Sequence, residues 1–263
     1  MTAGDPAPVS LSVDLNADLG EGFGPWTMGD DDGLLEVITS ANVACGFHAG
    51  DPSIMARVCE RAVAVGVAIG AHVSYRDLVG FGRRDLDVEP GALRDDVLYQ
   101  LGALAGFARA AGGRVSYVKP HGALYHRACA QPDAAAAVVE AVAAFGDGVG
   151  VLALPGSALL SAAASAGVPA FAEGYLDRGY EPGGGLLHRS RPGAVIDDSA
   201  AIAARAVRIA VDGEVTASTG EVVALSVVSL CAHGDTPSAV ASARAARRAL
   251  ESAGVTVRAF AAA

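Results

Sequence analysis

A chain of 263 residues is long enough for one α/β barrel or sheet, and 52% hydrophobic residues with only 5% aromatic suit helices packed closely over a parallel sheet. A formal net charge of -10 with no basic cluster excludes an electrostatic footprint for nucleic acid or an anionic membrane, so a small molecule is the expected partner. No apolar run reaches about 18 residues, no basic-then-apolar leader opens the chain, and Cys45, Cys59, Cys129 and Cys231 are scattered without a C-x-x-C pair, which predicts a soluble cytoplasmic protein with reduced thiols.

After an expected flexible tail at 1–10, residues 11–18 alternate apolar and polar side chains with period two. That alternation puts Asp14, Asn16 and Asp18 on one face of a first strand. The glycine-rich turn at 19–24 then presents Glu21 beside Asp18. Asp30, Asp31 and Asp32 suit a helix N-terminus leading into 34–38. A second strand over 39–48 carries Asn42 and ends in His48, and Asp51-Pro52 reads as the cap and first residue of a helix over 54–65. A third strand over 66–72 again ends in a histidine, His72. The connection 73–90 is long and mixes Tyr75 and Phe81 with Arg76, Arg83 and Arg84, which predicts a lid.

A helix over 90–111 stops at Gly112-Gly113, and a fourth strand over 114–119 brings Lys119 and His121 to its carboxyl end. A helix over 134–145, a fifth strand over 148–154, a small-residue helix from 155 to 166 and a sixth strand over 168–173 follow. Asp177 and Arg178 come next, and the glycine-containing run 182–192 is a second lid candidate. The remainder predicts a helix over 197–211, a hairpin over 214–223 turned at Thr219-Gly220, and a seventh strand over 224–232 ending in His233-Gly234-Asp235. A last helix starts at Thr236 or Pro237 and runs to Gly254, with a short strand within 255–260.

About seven βα units, with polar residues at nearly every strand's carboxyl end, predict a distorted TIM-like (β/α)7 barrel. An open doubly wound sheet would spread those ends apart, whereas a barrel gathers them about one axis. No repeat or composition shift divides the chain, so 1–263 is expected to be a single domain.

Lys119 is the only lysine among 19 basic residues, which points to a need for an amine that a guanidinium does not meet; an ordinary ion pair at a strand end is the competing account. Asn16 and Asn42 are the only asparagines, suited to holding a ligand's polar group or orienting a neighbouring acid. The gathered residues suit hydrolysis, with carboxylates as general base, histidine as proton shuttle and lysine as electrostatic stabiliser. Asp14 or Asp18 with His48 and His72 also makes a mixed N/O set for a divalent ion, and Asp14, His48 and His72 are the candidate metal ligands. No phosphate loop or G-x-S-x-G elbow is present, and Gly20, Gly22 and Gly24 do not make the dinucleotide fingerprint.

The stretches Val13-Asp14-Leu15-Asn16-Ala17-Asp18-Leu19-Gly20-Glu21, Ser40 to Asp51, Gly70-Ala71-His72, Val118 to Tyr125, Asp177-Arg178-Gly179-Tyr180 and His233-Gly234-Asp235 together resemble the LamB/YcsF family from about Val13 to the end of the chain. The resemblance implies a seven-stranded barrel similar to metal-binding carbohydrate deacetylases. It further implies ATP-dependent hydrolytic opening of 5-oxoproline to L-glutamate, carried out with 5-oxoprolinase subunits B and C. On this footing Lys119 is expected to stabilise a developing oxyanion or phosphate and Asp18 or Glu21 to activate water. His121 would protonate the departing nitrogen, Arg178 would meet the substrate carboxylate, and Asn16, Asn42 and His233 would help to hold the substrate. ATP would be used by the complex and bound or shared by a partner, and a homo-oligomer is left open. The alternatives are a stand-alone metal-dependent deacetylase or amidase and a non-catalytic lactam-binding subunit.

Overall fold

The computed structural model describes residues 11–236 and 238–261; the expected tail at 1–10 and a helix start at Pro237 lie outside them. Seven parallel strands form the barrel: β1 Ser12–Leu19, β2 Ser40–Ala44, β3 Ala68–His72, β4 Val115–Val118, β5 Gly150–Ala153, β6 Ala170–Tyr175 and, after an interruption, β9 Ser229–Ala232. They pair in that order, and β1 closes the ring by pairing Asp14–Ala17 with Ser229–Ala232. The predicted (β/α)7 barrel is therefore the observed one.

The helices wrap the outside: α1 Asp31–Leu35, α2 Pro52–Val65, α3 Pro90–Ala110, α4 Gly122–Ala130, α5 Pro132–Phe145, α6 Ala158–Ser165, α7 Ser199–Val207 and α8 Ala239–Ser252. Their ends follow from the sequence. Asp51 accepts hydrogen bonds from the amides of Ser53 and Ile54 while Pro52 takes the first helical position, and Gly66 closes α2 at φ 75°. No single helix among the described residues is long and apolar enough to cross a membrane.

Three expectations need correction. The segment at 224–232 is not one strand: β8 Val222–Ala224 pairs antiparallel with β7 Glu214–Thr216 in a separate ribbon, and the barrel strand starts only at Ser229. α4 precedes the helix expected over 134–145, which begins at Pro132: Gly122 takes φ 57° and starts α4 with His121 as its N-terminal cap residue. The second strand ends at Ala44, so His48 stands on the loop after it.

The lower barrel interior is filled by aromatic rings that fit hollows left by glycine. A side chain at Gly70 would lie 2.2 Å from the Tyr117 ring, and one at Gly150 would lie 2.6 Å from Phe171. Phe260 packs against both rings, at centroid distances of 4.9 and 4.7 Å. The short strand β10 Thr256–Val257 leads to it and pairs with Ser12 and Val13, below the stretch of β1 that meets β9.

Candidate active site

The polar face of β1 runs up the barrel interior, and successive inward residues stand about 6.6 Å apart along the strand. Asp14 lies deepest. Thr39 and Ser40 each donate to its Oδ1 at 2.6 Å, and Ser229 donates to its Oδ2. Burial pushes the Asp14 carboxyl up to about 6 despite these hydroxyls. One layer higher, Asn16 Nδ2 donates to Ser229 Oγ (2.7 Å) and Glu173 Oε2 (3.4 Å). Asn42 Nδ2 donates to Asn16 Oδ1 (2.7 Å) and Asp18 Oδ1 (2.8 Å), and its own Oδ1 accepts from the Tyr117 hydroxyl (2.7 Å).

Lys119 sits inside this frame with 1% exposure. Its Nζ is 3.1 Å from Glu173 Oε2 and 3.4 Å from Asp18 Oδ1, donates to Cys231 Sγ at 3.0 Å, and stands 5.1 Å from the centroid of the Tyr175 ring. Burial opposes the ammonium charge, but Asp18, Cys231 and Glu173 outweigh it and hold the group well above its ordinary value. Asp18 is the reciprocal case: burial raises it, and His72 and Lys119 bring it well below the usual carboxylate range. The two form a fixed, charged pair at the floor of the site.

Above them four side chains converge, with donor atoms of Glu21, His48, His72 and His121 all within 4.8 Å of one another. His72 Nδ1 lies 2.9 Å from the Lys119 carbonyl, which only an N–H can satisfy, so in the neutral ring Nε2 carries the lone pair, and that atom also stands 3.4 Å from Asp18 Oδ2. His121 Nε2 is fixed in the same way by the Phe81 carbonyl at 2.9 Å, leaving the lone pair on Nδ1. These two lone-pair nitrogens face each other at 3.0 Å. His48 stacks on His121 with ring centroids 3.9 Å apart, and Glu21 Oε1 is 3.7 Å from His48 Nε2 and 3.6 Å from His121 Nδ1. Glu21 Oε1 and both nitrogens of His48 are buried without a hydrogen-bond partner.

Two facing lone pairs and three unpartnered buried atoms cost several kcal/mol unless a cation or shared protons sit among them. Three of the separations lie at 3.0–3.7 Å and all fall within 4.8 Å, which suits donor atoms that share one divalent ion. With protein groups alone, burial and then Asp18 and Asp235 drive the Glu21 carboxyl well up, while burial drives the His48 and His121 imidazoles well down. A divalent ion would reverse the first tendency and favour the second. The donor set therefore fits a metal.

The expected ligand set is corrected at one position. Asp14 stands four residues below Asp18, about 13 Å along the strand, and its oxygens are taken by Thr39, Ser40 and Ser229, so Glu21 and His121 complete the cluster in its place. Asn16 and Asn42 lie beneath the cavity and hold Asp18 and Lys119 rather than facing a ligand. His121 has no nitrogen left for a leaving group, because Phe81 claims one and the cluster the other.

A cavity of about 540 Å³ opens over the cluster and is lined by Asp18, Glu21, His72, Lys119 and His121 on its inner side. Arg178, expected to meet substrate, does line it, but its Nε and one terminal nitrogen donate to the carbonyls of Ala194 and Leu187, so it also clamps the 187–194 segment. His233 lines the same cavity and is held by Asp177. Loop 73–90, expected as a lid, is instead a wall: the amide of Ala123 donates to the Gly82 carbonyl, Arg84 pairs with Asp77, and Arg83 reaches Asp235 at 2.8 Å. Glu173, at the carboxyl end of the sixth strand, shares Lys119, and Phe81 of loop 73–90 contributes through its backbone, which at φ 54° aims the carbonyl that orients His121.

A model of the LamB/YcsF family matches residues 13–263. A protein from Streptomyces griseus described as the A-type subunit of 5-oxoprolinase is 59% identical over 95% of this chain and 100% of its own length, and one of the same description from Kocuria rhizophila is 57% identical over 95% and 99%. The crystal structure of a lactam utilization protein from Thermus thermophilus superposes with a TM-score of 0.90 at 45% identity, covering 95% of this chain and 100% of that one.

Proposed function

Since the chain belongs to the LamB/YcsF family, we propose that it carries the ring-opening chemistry of a 5-oxoprolinase, hydrolysing 5-oxoproline to L-glutamate in an ATP-dependent complex with B and C subunits. The observation that supports this beyond family membership is the convergence of a fixed Lys119–Asp18 pair and the Glu21, His48, His72, His121 donor set on one cavity. The reaction belongs in the cytoplasm, where ATP is supplied and the four free thiols stay reduced.

A divalent ion bound by Glu21, His48, His72 and His121 would polarise a carbonyl and acidify water. The protein's own groups do the rest. Asp18, kept ionised between His72 and Lys119, accepts the proton of the attacking water. Lys119, held by Glu173, Asn16 and Cys231 and lining the cavity, offers its positive charge to the oxyanion that develops on the lactam carbonyl. A five-membered lactam is resonance-stabilised and recloses readily, so activation by ATP on the partner subunits supplies the missing driving force.

The test reconstitutes the chain with its B and C partners, 5-oxoproline and ATP, and measures glutamate release. Lys119→Met is expected to lower release by about 10²–10³-fold with the melting curve retained. His48→Ala is expected to lower both release and the tightness of Co²⁺ or Zn²⁺ bound by the isolated chain. Full activity of Lys119→Met would overturn the reading. The donor set also favours a second reading, a stand-alone metal-dependent amidase or deacetylase, and glutamate release by the metal-loaded chain without ATP or partners would select it.

A further inference from the structure

The chemistry above leaves one proton unassigned: the ring nitrogen leaves as an amine and needs an acid. His121 cannot supply it, since both its nitrogens are committed, and the Lys119 ammonium is consumed by Asp18, Glu173, Asn16 and Cys231. His126 and His188 also line the cavity, but burial and Arg178 push the His126 imidazole down to about 4, and His188 is exposed and bonded to Ser190, so neither is held by a carboxylate. His233 differs from all of these. Its Nδ1 lies 2.9 Å from both oxygens of Asp177, its backbone amide donates to Asp177 Oδ2 at 3.0 Å, and its ring leans on Tyr175 at a centroid distance of 5.4 Å. Its side chain is 13% exposed and lines the cavity with Asp18, Lys119 and His72. Nδ1 is therefore the protonated nitrogen facing the carboxylate, and Nε2 is the atom turned to the cavity.

We infer that His233, positioned by Asp177, is the general acid that protonates the departing ring nitrogen. The inference rests on the lactam-opening reading. As the tetrahedral adduct collapses, the C–N electron pair goes to nitrogen, which takes the proton from Nε2 of the imidazolium and leaves as the amine. The imidazole becomes neutral, and the proton that Asp18 accepted from water returns to it through solvent in the cavity, so the protons of the ring-opening step balance without a further acid or base, while ATP enters only in the activation by the partner subunits. Asp177 suits its part: burial would raise its carboxyl, but the pairing with His233 holds it below the ordinary value, so a full negative charge supports the imidazolium.

The test uses the reconstituted complex and two substrates, 5-oxoproline and its sulfur analogue 5-oxothiolane-2-carboxylate, whose thiolate leaves without protonation. His233→Gln is expected to lower kcat on the lactam by about 10²–10³-fold with KM little changed, and to lower thiolactone opening less than about fivefold. Asp177→Asn should show a smaller loss with the same preference for the lactam. Added imidazole should return part of the lactam rate to His233→Gly. Equal losses on both substrates, or a wild-type lactam rate in His233→Gln, would overturn the role of His233 while leaving the lactam reading intact. A wild-type complex that opens neither substrate would overturn the lactam reading and this inference with it.

Discussion

Asp14 shows how position along a strand sets the chemistry of a side chain. It shares a face with Asp18, yet one carboxyl is driven up to about 6 by burial and the other is driven down by His72 and Lys119. For Asp14 the folded value exceeds the ordinary 3.8, so the native state binds more protons between about pH 4 and pH 6, and stability falls as pH rises through that window. A shift of about two units corresponds to about 3 kcal/mol. Asp14→Asn removes this contribution, so its stability relative to wild type should rise by about 2 kcal/mol between pH 4.5 and pH 7.5 in urea unfolding. A difference that does not change with pH would refute the assignment. Period two made the shared face of Asp14, Asn16 and Asp18 legible, and a single count exposed Lys119. What the sequence could not show is depth: cross-strand register pairs Asn42 with Asp18 and Ser229 with Asp14, and that register is a property of the closed sheet.

At the scale of elements, the loops contribute as much to the site as the strands do. Loop 73–90 looked like a lid because it is long and mixed, but its inner half is bound to the start of α4. Gly82 at φ 63° has its backbone against His121, His48 and Ser74, and Gly122 at φ 57° has no room for a side chain, since a Cβ there would lie 2.4 Å from the Gly82 carbonyl oxygen. Gly122→Ala therefore adds both a left-handed backbone penalty and a collision with main chain, expected to cost about 2–3 kcal/mol of stability. Because the same contact carries the Phe81 carbonyl to His121, this variant should also weaken Co²⁺ binding by at least tenfold, measured by titration of its visible absorption. Wild-type affinity in a destabilised Gly122→Ala would show that the loop supports the fold and not the cluster. The start of α2 was readable from Asp51 and Pro52, although Gly66, placed in the third strand, proves to cap its end, whereas the break between β8 and β9 was not readable, since apolar residues run through both.

For the whole molecule, the recurrence of polar strand ends gave the barrel, but its closure below the site depends on a segment with little sequence signal. β10 takes the place beside the lower end of β1 that β9 leaves, and carries Phe260 under the barrel against Tyr117 and Phe171. Tyr117 links this plug to the site, because its hydroxyl holds Asn42, which holds Asp18. The ring of Phe260 is half-buried, so Phe260→Ala should cost less than a fully buried phenylalanine does, about 2 kcal/mol. Two outcomes separate plug from relay. If the base only closes the barrel, the melting temperature of Phe260→Ala falls by several degrees while Co²⁺ affinity and glutamate release at 25 °C stay within twofold of wild type. If Tyr117 needs the plug to keep its hydroxyl on Asn42, glutamate release falls at temperatures well below the transition and Tyr117→Phe reproduces the loss. The first outcome is expected, because the Tyr117 ring is also confined by Gly70 on the neighbouring strand and keeps its position when the ring below is removed.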